Sequence, residues 1–116
     1  MKRIVWGKAH VASESYKNKF QKINGAWWMR GIGEFTINPP KNSWSILVEI
    51  ITNQGVEEDY WVQVSFVFDT APQECLFVGQ HMYLTDGPTR IFEIVIIDDC
   101  DVPDSAKQLL DNGQQS

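Results

Sequence analysis

Residues 27–37 have the sequence WWMRGIGEFTI, in which apolar and polar side chains alternate. Strands place successive side chains on opposite faces, so a period of two indicates a β-strand. The segment from Tyr60 to Asp69 repeats the alternation. The apolar faces of the two segments are Trp27, Met29, Gly31, Gly33, Phe35 and Ile37, and Tyr60, Val62, Val64, Phe66 and Phe68. Both segments are therefore predicted to be strands with one face in a core.

Further strands are predicted on either side of these two. Segments 44–52 and 91–97 are apolar on both faces and rich in β-branched residues, which is typical of central strands. Shorter strands are predicted at 3–12, 75–78 and 81–85. Pro and Gly turns separate the segments, because Pro fixes φ and Gly permits positive φ. Six or seven strands result.

Helical signals are confined to two short segments. Residues 13–25 lack strand alternation and predict a long loop or a short helix, which is a candidate functional surface. Pro103 with the partial apolar stripe Ala106, Leu109 and Leu110 predicts a short C-terminal helix or tail.

Many short strands without a long helix predict an all-β fold. We expect a small closed antiparallel barrel of six or seven strands, with a β-sandwich as the alternative, since both avoid exposed sheet edges. A chain of 116 residues is long enough for one core. Residues 1–111 are predicted to form this single domain, and residues 112–116 a disordered tail.

The composition argues against several classes of protein. No apolar run approaches the roughly 20 residues that cross a bilayer, and the apolar stretch after Arg3 ends at Trp6, which is too short for an export signal. Cys75 and Cys100 are the two cysteines and form no CxxC pair, so neither a disulfide framework nor a zinc site is indicated. We expect a cytoplasmic, non-membrane protein without a metal or another cofactor.

Charge is distributed unevenly along the chain. Residues 1–41 carry eight Lys or Arg against two Glu, a net charge of +6, whereas residues 42–116 carry two against thirteen acids, a net −11. The acids concentrate in two groups, Glu57, Glu58 and Asp59 before one strand, and Asp98, Asp99, Asp101 and Asp104 after the last strand. Such groups attract a basic protein surface and speed encounter, although charged loops often serve only solubility.

Aromatic residues offer candidate anchors for an interface. Trp28 and Trp61 each follow an inward-facing aromatic residue and are predicted on the polar faces of their strands. An exposed Trp is a common interface hot spot, and partial burial is the alternative. The basic region 13–30 also suggests a nucleic-acid platform, but a pI near 4.8 means that the whole protein repels polyanions.

Catalytic motifs are missing from the sequence. His10 and His81 are distant in sequence, and no GxSxG elbow or HExxH helix is present. We therefore expect no enzymatic activity and assign no catalytic residue. An apolar pocket containing His81 and Cys75 would revive an enzymatic role.

Residues 77–97, FVGQHMYLTDGPTRIFEIVII, resemble the closing hairpin of the third, β-barrel domain of elongation factor Tu and of small stand-alone bacterial proteins built on that barrel. The residues that fit are Gly79, Tyr83, Leu84, Asp86, Gly87, Arg90, Ile91 and Val95. The resemblance implies a six-stranded barrel. It does not imply GTP hydrolysis, because no GxxxxGK[ST] loop is present.

Stand-alone barrels of this type occur beside toxin systems, including contact-dependent growth inhibition, so the resemblance and the charge together imply an immunity protein. The first hypothesis is that the chain binds and neutralises a basic toxin, a nuclease in the favoured case. The acidic groups at 57–59 and 98–104 would cover the toxin's active site, with Trp61 as an anchor. The alternative is a translation-associated barrel that binds RNA or a translation factor through residues 13–30.

Overall fold

The computed structural model describes residues 2–20, 27–51 and 59–108, and over these residues six antiparallel strands close into a barrel. The order around the barrel is β1-β4-β3-β2-β5-β6, and β6 pairs back with β1. The predicted fold class is confirmed. The strands are β1 (Ile4–Val11), β2 (Trp27–Phe35), β3 (Trp44–Ile51), β4 (Asp59–Phe66), β5 (His81–Asp86) and β6 (Thr89–Ile97).

The barrel interior is filled by the inward-facing side chains of all six strands. On β2 the inward positions Gly33 and Phe35 are buried, while Trp28 and Arg30 point outward and are exposed. Aromatic rings meet in the interior, with the Phe35 and Phe66 centroids 5.7 Å apart. Burying each large apolar side chain contributes about 1.5–3 kcal/mol. The apolar interior residues with no exposed surface include Ala9, Ile46, Val48, Ile50, Val62, Val64, Phe66, Met82, Leu84, Phe92 and Ile94.

Strands β2 and β5 approach so closely that one position between them requires glycine. A Cβ atom on Gly31 would lie 2.5 Å from the Thr85 carbonyl oxygen and 2.7 Å from the Leu84 Cδ1 atom. The pairing of β5 with β6 is also irregular between Leu84 and Thr85, and the Thr85 hydroxyl donates a hydrogen bond of 3.0 Å to the Ile32 carbonyl. These features close the barrel at the β2–β5 junction.

The prediction of a strand at 75–78 is wrong. Residues Gln73–Cys75 form a 3₁₀ helix instead, in which the Cys75 amide donates to the Pro72 carbonyl at 3.0 Å. Both Cys75 and Leu76 are buried at the barrel end, so the apolar character of this segment comes from capping the core and not from strand alternation. Within residues 13–25, the structure has helix α1 (Glu14–Phe20), in agreement with one of the two predicted forms.

A buried glutamine joins the segments that close this end of the barrel. The Gln80 side chain accepts a hydrogen bond from the Ile37 amide at 3.1 Å and donates to the Ile37 carbonyl at 3.0 Å. It also donates to the Cys75 carbonyl at 3.0 Å. The amide therefore pairs with the backbone as a strand residue would, and every hydrogen-bonding group is satisfied without water.

The C-terminal segment, residues 98–108, folds back on the outside of the barrel. It begins with a 3₁₀ helix at Asp99–Asp101 and continues as a helix over 104–108, so the predicted short C-terminal helix is confirmed. Val102 and Ala106 are buried against Trp6 of β1 and Ile51 of β3. The predicted disordered tail at 112–116 lies outside the described residues.

Candidate binding surfaces

The aspartates of the C-terminal segment form an exposed acidic edge, defined as Asp98, Asp99, Asp101 and Asp104. The Asp98 carboxylate accepts a hydrogen bond of 3.0 Å from the Cys100 amide, and this bond holds the pKa of Asp98 below its usual value. Lys107 Nζ lies 3.3 Å from Asp99 Oδ2. In this segment, one lysine partly neutralises four carboxylates, so the acidic edge keeps a negative potential.

The packing of the C-terminal segment gives the acidic edge a fixed position on the barrel. Val102 and Ala106 each have little or no exposed surface, and they alternate with the exposed aspartates. The apolar side chains therefore hold the segment on the barrel while the carboxylates face solvent. Preorganised charges bind a partner at a lower entropic cost than charges on a free chain.

Asp59, the one residue of the second predicted acidic group that the structure describes, lies at the start of β4. Asp59 opens β4 in register with His10, whereas Asp98 follows β6, whose Ile97 pairs with Trp6. His10 and Trp6 are four residues apart on β1, which corresponds to about 13 Å along the strand. Residues Glu57 and Glu58 lie outside the described residues. Asp59 is therefore distant from Asp98 along β1, but it lies two residues from Trp61, which packs against the C-terminal segment.

Trp61, the predicted anchor, lies beside the C-terminal segment. Its ring is partly buried and packs against the cluster of Trp6, Ile51, Val102 and Ala106. Lys8 Nζ lies 5.8 Å from the Trp61 ring centroid. Sequence reasoning did not single out Trp6, which lies beneath the segment, because strand alternation alone does not show which outward residues another segment covers.

A shallow groove lies around Trp28, the other Trp predicted on a polar face. The groove has a volume of about 350 Å³ and is called the Trp28 groove below. Trp28 is 60% exposed, and the Arg30 guanidinium lies 5.9 Å from its ring centroid. The groove extends from β2 over β3, where Leu47 and Glu49 share the outer face of the strand with Ile51 of the Trp6 cluster. Its lining residues are Lys2, Trp28, Arg30, Leu47, Glu49 and Val67.

A hydrogen-bonded network crosses the outer face of β5 and β6. His81 Nε2 lies 3.1 Å from Glu93 Oε2, and the Tyr83 hydroxyl donates to the same oxygen at 3.2 Å. The bonds to His81 and Tyr83 lower the pKa of Glu93, while desolvation and the bond to Glu93 raise the pKa of Tyr83. Thr36 Oγ1 lies 3.1 Å from His81 Nδ1. Both ring nitrogens of His81 are thus engaged by neighbouring side chains.

The two cysteines occupy different environments, and neither lies with a histidine in the geometry of a nucleophile and its base. Cys75 lines a cleft of about 730 Å³ at the barrel end, and the residues of this cleft do not include His81. Burial and the charge of Glu74 raise the pKa of Cys75. A hydrogen bond with Asp98 and its negative charge raise the pKa of Cys100. Both environments disfavour the reactive thiolate.

Comparison with known proteins gives no match from which the role of these surfaces could be inferred. No protein-family model, no curated protein and no solved structure matches this chain. Across residues 2–20, 27–51 and 59–108, no three His, Cys, Asp or Glu side chains are grouped to hold a metal ion. The helices of this part of the chain are also too short or too polar to cross a bilayer.

Proposed function

We propose that this chain is a binding protein that grips a basic protein partner through the acidic edge at Asp98, Asp99, Asp101 and Asp104. The observation that carries the proposal is the placement of four exposed carboxylates on a segment fixed to the barrel by Val102 and Ala106. Clustered carboxylates raise the local negative potential, which steers and orients a cationic partner.

The favoured partner is a basic toxin, and the favoured class of toxin is a nuclease. A nuclease needs positive charge to hold the phosphates of its substrate, so a rigid row of carboxylates imitates that substrate in charge. On this proposal the chain acts as an immunity protein, and the acidic edge covers the active site of the toxin. Trp61 and the acids at 57–59 belong to the same proposal as secondary contacts.

Binding of RNA through the basic region 13–30 has weaker support. An exposed Trp28 beside Arg30 fits base stacking, but Glu49 lies in the same groove and Glu34 on the same strand. A net charge of −5 further opposes the approach of a polyphosphate chain. RNA is therefore an outcome to be tested rather than the proposed partner.

The test measures complex formation with the protein encoded by the reading frame that precedes this gene, because an immunity gene directly follows the gene of its toxin. Replacing Asp99, Asp101 and Asp104 together by Asn should weaken binding about 100-fold at low salt, because three exposed charge pairs worth about 0.9 kcal/mol each sum to about 2.7 kcal/mol. Asp98 is kept, because its carboxylate caps the 3₁₀ helix. Calorimetric titration and inhibition of nuclease activity give two independent readouts.

A charge-matched variant controls for the change in net charge. Glu14→Gln, Glu34→Gln and Asp86→Asn remove three exposed acids from other parts of the surface. We expect this control to bind within about threefold of the wild type, because distant exposed charges are screened by salt. Equal losses in both triple variants, or undiminished binding by the first, would overturn the proposal.

A further inference from the structure

The Trp28 groove combines an exposed aromatic ring with an apolar floor. Trp28 forms one side of the groove, and Leu47 and Val67, both partly buried, contribute aliphatic surface. Within the sheet, Trp28 is paired with Glu49, and Arg30 with Leu47. The groove therefore crosses from β2 over β3 toward the residue that follows β4, and it presents side chains from separate strands to one ligand.

Two cations flank the groove. Lys2 precedes β1, and Arg30 lies on β2, so the positive charges reach the groove from different strands. Glu49 is the single carboxylate in the lining. Within the three described segments of the chain, Lys2, Arg30 and Glu49 form no ion pair. The charges of the groove are thus available to a ligand, with an excess of one positive charge.

We propose that the Trp28 groove is a second binding surface, specific for an extended peptide segment that carries apolar side chains next to carboxylates. An apolar side chain of the peptide packs between Trp28 and Leu47. The carboxylate pairs with Arg30, whose planar guanidinium suits bidentate contact, and with Lys2. Glu49 accepts a hydrogen bond from a backbone amide of the peptide.

Size and charge favour such a peptide over a nucleic acid. A volume of about 350 Å³ is at the small end of ligand sites and accommodates a few side chains. Glu49 would repel a phosphodiester backbone, whereas it offers an acceptor to peptide N–H groups. The protein's net charge of −5 repels a polyanion more strongly than a peptide with one or two carboxylates.

This surface is independent of the acidic edge. Its Trp28 and Arg30 lie on β2, which contributes none of the described residues of the cluster that holds the C-terminal segment, whereas β3 contributes Leu47 and Glu49 to the groove and Ile51 to that cluster. The groove is proposed to bind a negatively charged ligand, whereas the acidic edge is proposed to bind a positively charged one. Failure of either proposal therefore leaves the other intact, and residue-resolved measurements distinguish them.

The test is a titration of the ¹⁵N-labelled full chain, followed by NMR, with two acetylated and amidated hexapeptides, Gly-Leu-Asp-Leu-Asp-Gly and Gly-Leu-Lys-Leu-Lys-Gly. We expect the acidic peptide to give saturable shifts of the Trp28 indole N–H and of the Arg30, Leu47 and Val67 amides, with a Kd of about 1 mM. The basic peptide should leave these signals in place. Arg30→Gln should weaken binding of the acidic peptide at least 10-fold, while the matched variant Arg90→Gln should not, because Arg90 pairs with Glu34 on another part of the surface.

Several results would overturn the proposal. These are equal binding of both peptides, binding of neither, or shifts from the acidic peptide confined to residues 98–108. Tighter binding of a uridine hexanucleotide to the same signals would assign the groove to RNA instead. Movement of the groove signals with protein concentration alone would assign it to a second copy of this chain.

Discussion

Two walls of the barrel carry an outward-facing tryptophan, and their environments differ. Trp6 on β1 is 7% exposed, whereas Trp28 on β2 is 60% exposed. The C-terminal segment packs over Trp6 through Val102 and Ala106, while Trp28 faces solvent beside Arg30. The same residue type on the same side of a strand is thus a structural contact on one wall and a candidate anchor on the other. The difference arises because the C-terminal segment, which is distant in sequence, covers Trp6 and leaves Trp28 exposed.

The walls also differ in how charge and apolar surface are combined. On the β1 wall, the segment that covers the apolar surface brings the carboxylates of the acidic edge with it. On the β2 wall, the apolar surface is itself exposed and the flanking charges are mainly positive. One barrel therefore presents a charged, capped surface and an aromatic, open surface, and β3 contributes Ile51 to the first and Leu47 to the second.

Replacing each tryptophan by alanine should give the largest contrast between the walls. Trp6→Ala removes a buried ring from beneath the C-terminal segment and should lower the free energy of unfolding by about 3–5 kcal/mol. Trp28→Ala removes an exposed ring and should change it by less than about 0.5 kcal/mol. Urea denaturation of both variants measures the difference. Similar losses would mean that the two walls are not distinct in packing.

Both walls belong to one barrel, and substitution of Gln80 tests whether the end of this barrel is held rigidly. Gln80→Leu introduces an apolar side chain of similar size and leaves the Ile37 amide and the carbonyls of Ile37 and Cys75 without their partner. We expect a loss of about 2 kcal/mol, because unpaired buried polar groups are costly. Thermal and urea unfolding check the value.

The control for this variant is Gln63→Leu, which changes a partly exposed position on the outer face of β4. It should alter stability by less than about 0.5 kcal/mol. If Gln80→Leu lowers the free energy of unfolding no more than Gln63→Leu does, the hydrogen bonds of Gln80 do not stabilise the barrel end.

The smallest expected effect concerns pH and lies in the network between the walls. The bonds from His81 and Tyr83 lower the pKa of Glu93 in the folded protein, and the charge of His10 acts in the same direction. A carboxyl with a lowered folded pKa stabilises the protein above its unfolded pKa, and this contribution is lost as pH falls through the folded value. Glu93→Gln should therefore cost about 0.5 kcal/mol at pH 5.5, a value typical of exposed pairs.

The difference between Glu93→Gln and the wild type should shrink as the pH falls below the lowered pKa of Glu93. Urea unfolding at pH 5.5 and at pH 2.5 measures it. A difference that stays constant between these conditions would show that the network does not depend on the ionisation of Glu93.

Strand alternation predicted most of the fold because the barrel has a single interior. The inward faces of β2 and β4 follow from the period of two, and the exposure of Trp28 fits the same pattern, whereas Ile37 and Phe68, which were predicted on these faces, lie beyond the strand ends and are exposed. The segment 75–78 was wrongly predicted to be a strand. Cys75 and Leu76 are buried where they cap the barrel end, and a short apolar run in a sequence does not distinguish such a cap from a strand.

The candidate site was less predictable than the fold. The sequence identified Asp98, Asp99, Asp101 and Asp104 as a group, but nothing local showed that Val102 and Ala106 fix them to the barrel over Trp6. The position of Asp59 relative to this segment depends on the β4–β1–β6 order, which arises from pairing between distant residues. The Trp28 groove also depends on Lys2, which precedes β1, and Val67, which follows β4, reaching the same place from distant parts of the chain.

The most direct test of the account is calorimetric titration of the wild type, the Asp99, Asp101 and Asp104 triple Asn variant and Trp28→Ala with the protein encoded by the preceding reading frame, which is the proposed partner. The account predicts about 100-fold weaker binding for the triple variant, by loss of close charge pairs, and a change of less than about threefold for Trp28→Ala. Loss of binding in Trp28→Ala with full affinity in the triple variant would contradict it.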